Sequence, residues 1–238
     1  MFFLGSSLFL PDRVKRGGEF VIIWKEGRRM NKRNYQRELE DILECHEKNG
    51  EVPSLLMHSC CAPCSSYCLS YLAEHMKITI YYYNPNITAA EEYQKRVEEQ
   101  KRLIRSLPVK YPITFVEGPY EPERFFEMAK GYENCPEGGE RCFRCYELRL
   151  RHAVSYGAEQ GFDYVTTTLS VSPHKNADKL NEIGERVAAE TGGITYLCSD
   201  FKKKGGYQQS IALSKEYNLY RQDFCGCVYS QAERERRN

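Results

Sequence analysis

Two hydrophobic periods alternate along the chain. Short apolar or β-rich runs predict five strands: "SLLMHSC" (54–60), "ITIYYYN" (78–84), "YPITFVEG" (111–118), "DYVTTTLSV" (163–171) and "ITYLCSD" (194–200). Longer stretches with helical spacing lie between them. "PCSSYCLSYLAEHM" reads as a helix with Pro63 near its first turn, and "AEEYQKRVEEQKRLIRSL" places Tyr93, Val97, Ile104 and Leu107 at helical spacing. A short helix around "PERFFEMAKG" stops at Gly131, "CFRCYELRLRHAVSYGAEQG" runs as a helix to Gly161, and "NADKLNEIGERVAAETGG" is a capped helix. Repeated strand–helix units predict an α/β fold: a parallel sheet flanked by helices, three-layer and Rossmann-like, with helical insertions carrying the cysteines. In such sheets ligands sit at the carboxyl ends of the strands. Three segments fall there: "CCAPC" after the first strand, "SVSPHK" after the fourth and "SDFKKKGG" after the fifth.

Ahead of this pattern, residues 30–53 begin a charged helix with Leu39, Ile42 and Leu43 on one side. Residues 1–29 mix apolar, basic and glycine residues without a helical or strand period. We expect them to be a poorly ordered extension, with Met30 as the true start. No internal repeat, low-complexity tract or linker interrupts the rest.

Composition narrows the class. A chain of 238 residues with 41% apolar content supports one substantial core and one main domain. The run "MFFLGSSLFLP" has no preceding basic residues and no small-residue cleavage site, so it is a poor signal peptide. No run approaches the ~18 apolar residues of a membrane span. A soluble, cytoplasmic protein is expected. In that reducing setting, clustered cysteines bind metal or do redox work more often than they staple a fold.

The net charge of +1 gives no global field for nucleic acid, but basic residues gather locally. Arg141, Arg144, Arg149 and Arg151 form one group, and Lys202, Lys203 and Lys204 another. Such groups either grip phosphates or are simply solvated faces.

Eleven cysteines fall largely into three groups. In "HSCCAPCSSYC", Cys60 and Cys61 are adjacent at a strand end, where both sulfurs can reach one polynuclear centre. Cys64 and Cys68 follow on one helical face, and Cys68 also fits as a small apolar residue. In "NCPEGGERCFRC", beginning with Cys135, the pair Cys142 and Cys145 forms a C-x-x-C on the first turn of a helix, whose positive end stabilises thiolates. That pair needs partners among Cys60, Cys61 and Cys64, and either zinc or an iron–sulfur cluster accepts four thiolates. In "DFCGCVYS", Cys225 and Cys227 flank Gly226; a disulfide there closes a small, labile ring, whereas the same thiols can also be ligands or free. Cys45 and Cys198 read as inert.

The motifs "LLMHSCCAPCSSY", "YYYNPNI", "EEYQKR", "CFRCYELRL", "TTTLSVSPHKN" and "DFKKKGGYQQSIALSKEYNLYRQDFCGC" together resemble the QueH-type epoxyqueuosine reductases. The resemblance runs from about Ser54 to Ser230 and leaves residues 1–53 largely outside it; 54–238 then reads as the reductase domain. It implies the last step of queuosine synthesis in tRNA: loss of the epoxide oxygen of epoxyqueuosine at the wobble position, with a 4Fe-4S cluster and without cobalamin. It implies Cys60, Cys61, Cys142 and Cys145 as cluster ligands, and Cys225 and Cys227 as a redox-active disulfide.

Further expectations build on that resemblance. Cys64 is placed to direct a thiolate to an adjacent mononuclear iron, a Lewis acid for the epoxide oxygen. Arg141, Arg144 and Lys202 to Lys204 are candidates for anticodon-loop phosphates. Ser170, Ser172, His174 and Lys175 are candidates for contacting the modified base, with His174 as proton donor. No G-x-G-x-x-G follows a strand, so electrons are expected from an external donor. Two competing readings are a non-catalytic zinc-stabilised RNA-binding module, which has no use for the C-G-C pair, and an ATP-dependent tRNA sulfur-transfer enzyme. The latter needs a phosphate loop where the cysteines stand.

Overall fold

The computed structural model describes residues 33–236 in full, together with the backbone of two strands nearer the N-terminus, β1 (Asp12–Arg16) and β2 (Glu19–Ile23). These two pair antiparallel, Asp12 opposite Ile23, within a unit that ends at Arg33. The absence of a strand period in 1–29 does not announce them. Met30 and most of the expected extension lie outside the described residues.

The second unit starts at Asn34, whose side chain caps helix α1 (Tyr35–Asn49) by accepting from the Arg37 amide. Its sheet comprises β3 (Ser54–His58), β4 (Lys77–Tyr82), β5 (Thr114–Glu117), β6 (Tyr164–Thr167) and β7 (Thr195–Tyr196). All pairings are parallel, in the order β5-β4-β3-β6-β7. The order therefore reverses direction between β3 and β6, the switch point at which such sheets open a crevice.

Alternation along the strands decides the layers. Leu55 and Met57 of β3 and Ile78 and Ile80 of β4 face one side, where they pack with α1 and with α2 (Ala62–Leu72), α3 (Ala90–Ser106) and α7 (Gly206–Glu216). Leu56, Tyr81 and Val165 face the other, under α5 (Glu140–Glu159) and α6 (Ala177–Thr191). Tyr196 of β7 lies flat against α6 at Gly184, where any β-carbon would enter its ring. Short α4 (Pro122–Ala129) and the loop after it are inserted ahead of α5, and α8 (Val228–Glu235) ends the chain.

All five strands are shorter than the runs that predict them, β6 and β7 most of all. After Thr167 the chain winds into a 3-10 turn (Thr168–Val171), because the Thr167 hydroxyl accepts from the Leu169 amide and starts a new turn. Beyond Tyr196, Ser199 leaves the ladder: its amide donates to Asn181 Oδ1 and its carbonyl accepts from Asn181 Nδ2. A side chain of α6 thus replaces a strand partner. Helices α7 and α8 go beyond the elements that periodicity predicts.

Candidate active site

The site lies at the carboxyl ends of β3, β4 and β6. Cys60 and Cys61 stand where β3 turns into α2, with Cys61 at the N-cap and Pro63 in the first turn. Cys64 comes one turn later. The Sγ atoms of Cys60, Cys61 and Cys64 lie within 4.8 Å of one another, with the Cys60 thiol donating to Cys61 Sγ over 3.7 Å. Donation from Cys60 and Cys64 holds the Cys61 thiol well below the usual range, aided by the Arg96 charge and by Gln222. The reciprocal cost falls on Cys64, which is pushed well above it, and on Cys60. Within the trio, loss of a proton is favoured at Cys61.

A second thiol group faces a neighbouring small cavity. Cys142 and Cys145 of the first turns of α5 line it together with Cys225 and Cys227. Burial raises all the shifted thiols here: Cys142 upward, Cys145 to about 11 and Cys227 to about 12. The structure gathers Cys60 and Cys61 with Cys64, and places Cys142 and Cys145 with the C-G-C pair. All eleven cysteines are unbridged.

Cys225 belongs to both groups. It also lines a larger cleft of about 290 Å³, shared with Cys60, Cys64, His174, Lys175 and Tyr207. Its loop is fastened from several sides. Arg96 Nη1 donates to the Cys225 carbonyl over 3.1 Å, Thr88 donates to the Gly226 carbonyl, and the Cys225 amide donates to Ser230 Oγ. Gly226 has φ 114°, and a β-carbon there would lie 2.9 Å from Ile87 and 3.2 Å from Arg96. The residue between the two cysteines must be glycine for the loop to seat against α3.

Several side chains stand elsewhere than the sequence implies. Arg141, expected on phosphate, is only 2% exposed: it donates to the carbonyls of Tyr132, Glu133 and Cys135, pairs with Glu233 and lies over the Tyr229 ring. Arg149 is buried too, whereas Arg144 and Arg151 are exposed and paired with Glu140 and Glu147. The basic run divides by helical phase: 141, 145 and 149 share the inner face. Ser170, expected to face substrate, is buried and bonded to Ser199 Oγ. Lys202 is pinned by the Ser170 carbonyl and Asp200, leaving Lys203 and Lys204 exposed. Ser172, His174 and Lys175 do line the cleft, with Lys175 paired to Glu137 at 3.0 Å. Cys68 is buried in the core and Cys45 is exposed on α1. Cys135 lines a separate cleft beside Tyr229.

Sequence reasoning assigned no individual role to Arg96, Arg149, Asn84, Asn86 or Gln222. Arg96 reads as the polar face of α3, and Arg149 as one of a surface run. The asparagines follow β4 in "YYYNPNI", where a polar pair after an apolar strand was the available signal.

Soft thiolates in these numbers suit zinc or iron–sulfur centres. A polar orphan supports an anionic centre here: Arg149 Nε is buried with no partner beside the thiol cavity. No helix among the described residues is long and apolar enough to cross a membrane.

Residues 55–233 match the family described as Epoxyqueuosine reductase QueH. The curated Epoxyqueuosine reductase QueH of Staphylococcus epidermidis is 41% identical over 201 residues, covering 83% of this chain and 84% of the relative. That of Streptococcus pyogenes is 40% identical over 199 residues, covering 83% and 78%. That of Thermotoga maritima is 34% identical over 190 residues, covering 78% and 94%. With the match spanning the sheet, both thiol groups and the C-G-C loop, the chain belongs to the epoxyqueuosine reductase QueH family.

Proposed function

We propose that the protein reduces epoxyqueuosine to queuosine at the wobble position of tRNA in the cytoplasm. The observation that carries this reading is the position of Cys225, which lines the substrate-sized cleft and the inner thiol cavity at once. A purely structural metal site has no use for a dithiol opening onto a cleft.

The chemistry balances on groups of this chain. Converting the epoxide to an alkene takes two electrons and two protons and releases the oxygen as water. Closing Cys225 and Cys227 to a disulfide supplies two electrons and two protons. An external donor then restores the dithiol. Cys60, Cys61, Cys142 and Cys145 would hold a 4Fe-4S cluster, with Cys64 available to an adjacent iron. When bound, the cluster supplies one-electron transfer and the iron a Lewis acid. His174, exposed on the cleft rim, is the proton donor in this reading, and Ser172, whose hydroxyl accepts from the His174 amide, fixes its loop. Exposed Arg144, Lys203 and Lys204 are the remaining phosphate contacts.

The test is mass analysis of epoxyqueuosine-containing tRNA after incubation with anaerobically prepared, reduced protein. The modified nucleoside should lose the mass of one oxygen. An unchanged mass with the iron–sulfur centre intact would remove the assignment.

A further inference from the structure

Four cationic side chains are buried around the thiols, and three have a carboxylate. Arg96 pairs with Glu92, Arg141 with Glu233 and Lys175 with Glu137. Arg149, 1% exposed, has none among the described residues. Its Nη1 donates to Asn84 Oδ1 over 3.2 Å and to Asn86 Oδ1 over 2.9 Å, and its Nε has no partner. An isolated guanidinium withdrawn from water is strongly unfavourable unless a negative charge meets it.

Arg149 lines the inner cavity with Cys142, Cys145, Cys225 and Cys227, and the one carboxylate there, Glu137, is paired to Lys175. The two asparagines extend the same arrangement toward both thiol groups. Asn84 Nδ2 donates to the Ser59 carbonyl, next to Cys60, and Asn86 Nδ2 points to Cys225 Sγ at 4.0 Å. Neutral amides orient the guanidinium without neutralising it, so its charge remains available to the centre between the thiols.

We propose that Arg149 is the internal counter-ion of the thiolate centre, stabilising its bound state and raising its reduction potential. This rests on the reading of the site given above. A cubane held by four thiolates is a net anion and gains one further negative charge on reduction. A fixed buried cation therefore favours the reduced form more than the oxidised form. Arg149 acts through the ligands rather than on substrate, which makes it a positioning and tuning residue.

The experiment compares the reconstituted wild type with Arg149→Gln, which keeps a donor for the asparagines but drops the charge, and Arg149→Lys, which keeps the charge. Two quantities are read: the midpoint potential by spectroelectrochemical titration, and the melting temperature with and without the cluster. Glutamine should lower the potential and reduce the melting temperature more in the loaded protein than in the metal-free protein. Lysine should lie nearer the wild type in both. An unmoved potential in the glutamine variant, equal losses of melting temperature in the two forms, or a lysine variant as low as glutamine would overturn the inference alone. If glutamine does not fold, the lysine variant decides: a potential well below wild type overturns the proposal, and a retained one supports it. Wild-type protein that takes up no iron and sulfide would overturn both the reading of the site and this inference.

Discussion

Arg96 reaches from the middle of α3 to the backbone of Cys225, its Nη1 3.1 Å from that carbonyl while its Nε holds Glu92 at 2.7 Å. The same helix face continues the grip: Glu99 accepts from the Tyr220 amide, and Arg102 donates to the carbonyls of Tyr217 and Asn218. α3 thus serves as the mount for the segment that carries the dithiol. Replacing Arg96 by Met removes the donor of the Cys225 and Phe224 carbonyls and leaves Glu92 only the Tyr220 hydroxyl, which should cost about 3 kcal/mol in denaturant unfolding. Limited proteolysis should then cut within 217–227 faster than in the wild type. Unchanged stability and cleavage would show that the segment is held by other contacts.

The two thiol pairs should separate by phenotype. Cys225→Ala and Cys227→Ala are expected to keep the visible absorption of the loaded centre yet fail beyond a first turnover, because the two-electron reservoir is gone. Ser at both Cys142 and Cys145 should abolish the centre itself. Full iron and sulfide occupancy in that double variant would reassign the ligands.

Burial fixes the pH response of the metal-free protein. Cys145, raised to about 11, and Cys142, also raised, hold their protons near neutrality, so ligation must expel them. Apparent affinity for added metal should rise between about pH 7 and about pH 9, with proton release visible by calorimetry in buffers of different ionisation enthalpy. Stability runs the opposite way without metal. A folded-state pKa raised above the unfolded value of about 8.5 gives stability that is present below that value and lost as pH climbs toward the folded one. The metal-free melting temperature should therefore fall on the alkaline side; a flat profile would contradict the buried environment.

Arg141 and its exposed neighbours should behave differently toward tRNA. Arg144→Glu and Lys203→Glu are expected to weaken tRNA binding, each reducing the salt slope by about 1. Arg141→Ala should leave the slope unchanged and lower stability by about 2–3 kcal/mol, since three loop carbonyls lose their donor. An altered slope for Arg141→Ala would place its charge on the nucleic acid after all.

Periodicity along the chain was enough to determine the α/β class and the strand–helix order, because burial on one face imposes a repeat that local sequence must obey. Leu55 and Met57 against Leu56, or Tyr93 and Val97 along α3, carry that repeat openly. The cysteine spacings likewise marked three thiol-rich segments, one of them at a strand end. What the spacings could not decide is which segments meet. Cys142 and Cys145 line one cavity with Cys225 and Cys227 because α5, in the crossover from β5 to β6, is carried back over the sheet, and that path depends on packing between distant residues. Tertiary burial also reversed the meaning of charge. Arg141 and Arg149 look like their neighbours Arg144 and Arg151 in the sequence, but one helical face is covered and the other wet. An arginine removed from water must find carbonyls, carboxylates or thiolates, whereas an exposed one, held only in a solvated ion pair, can exchange its partner for a phosphate, and only the folded chain determines which applies.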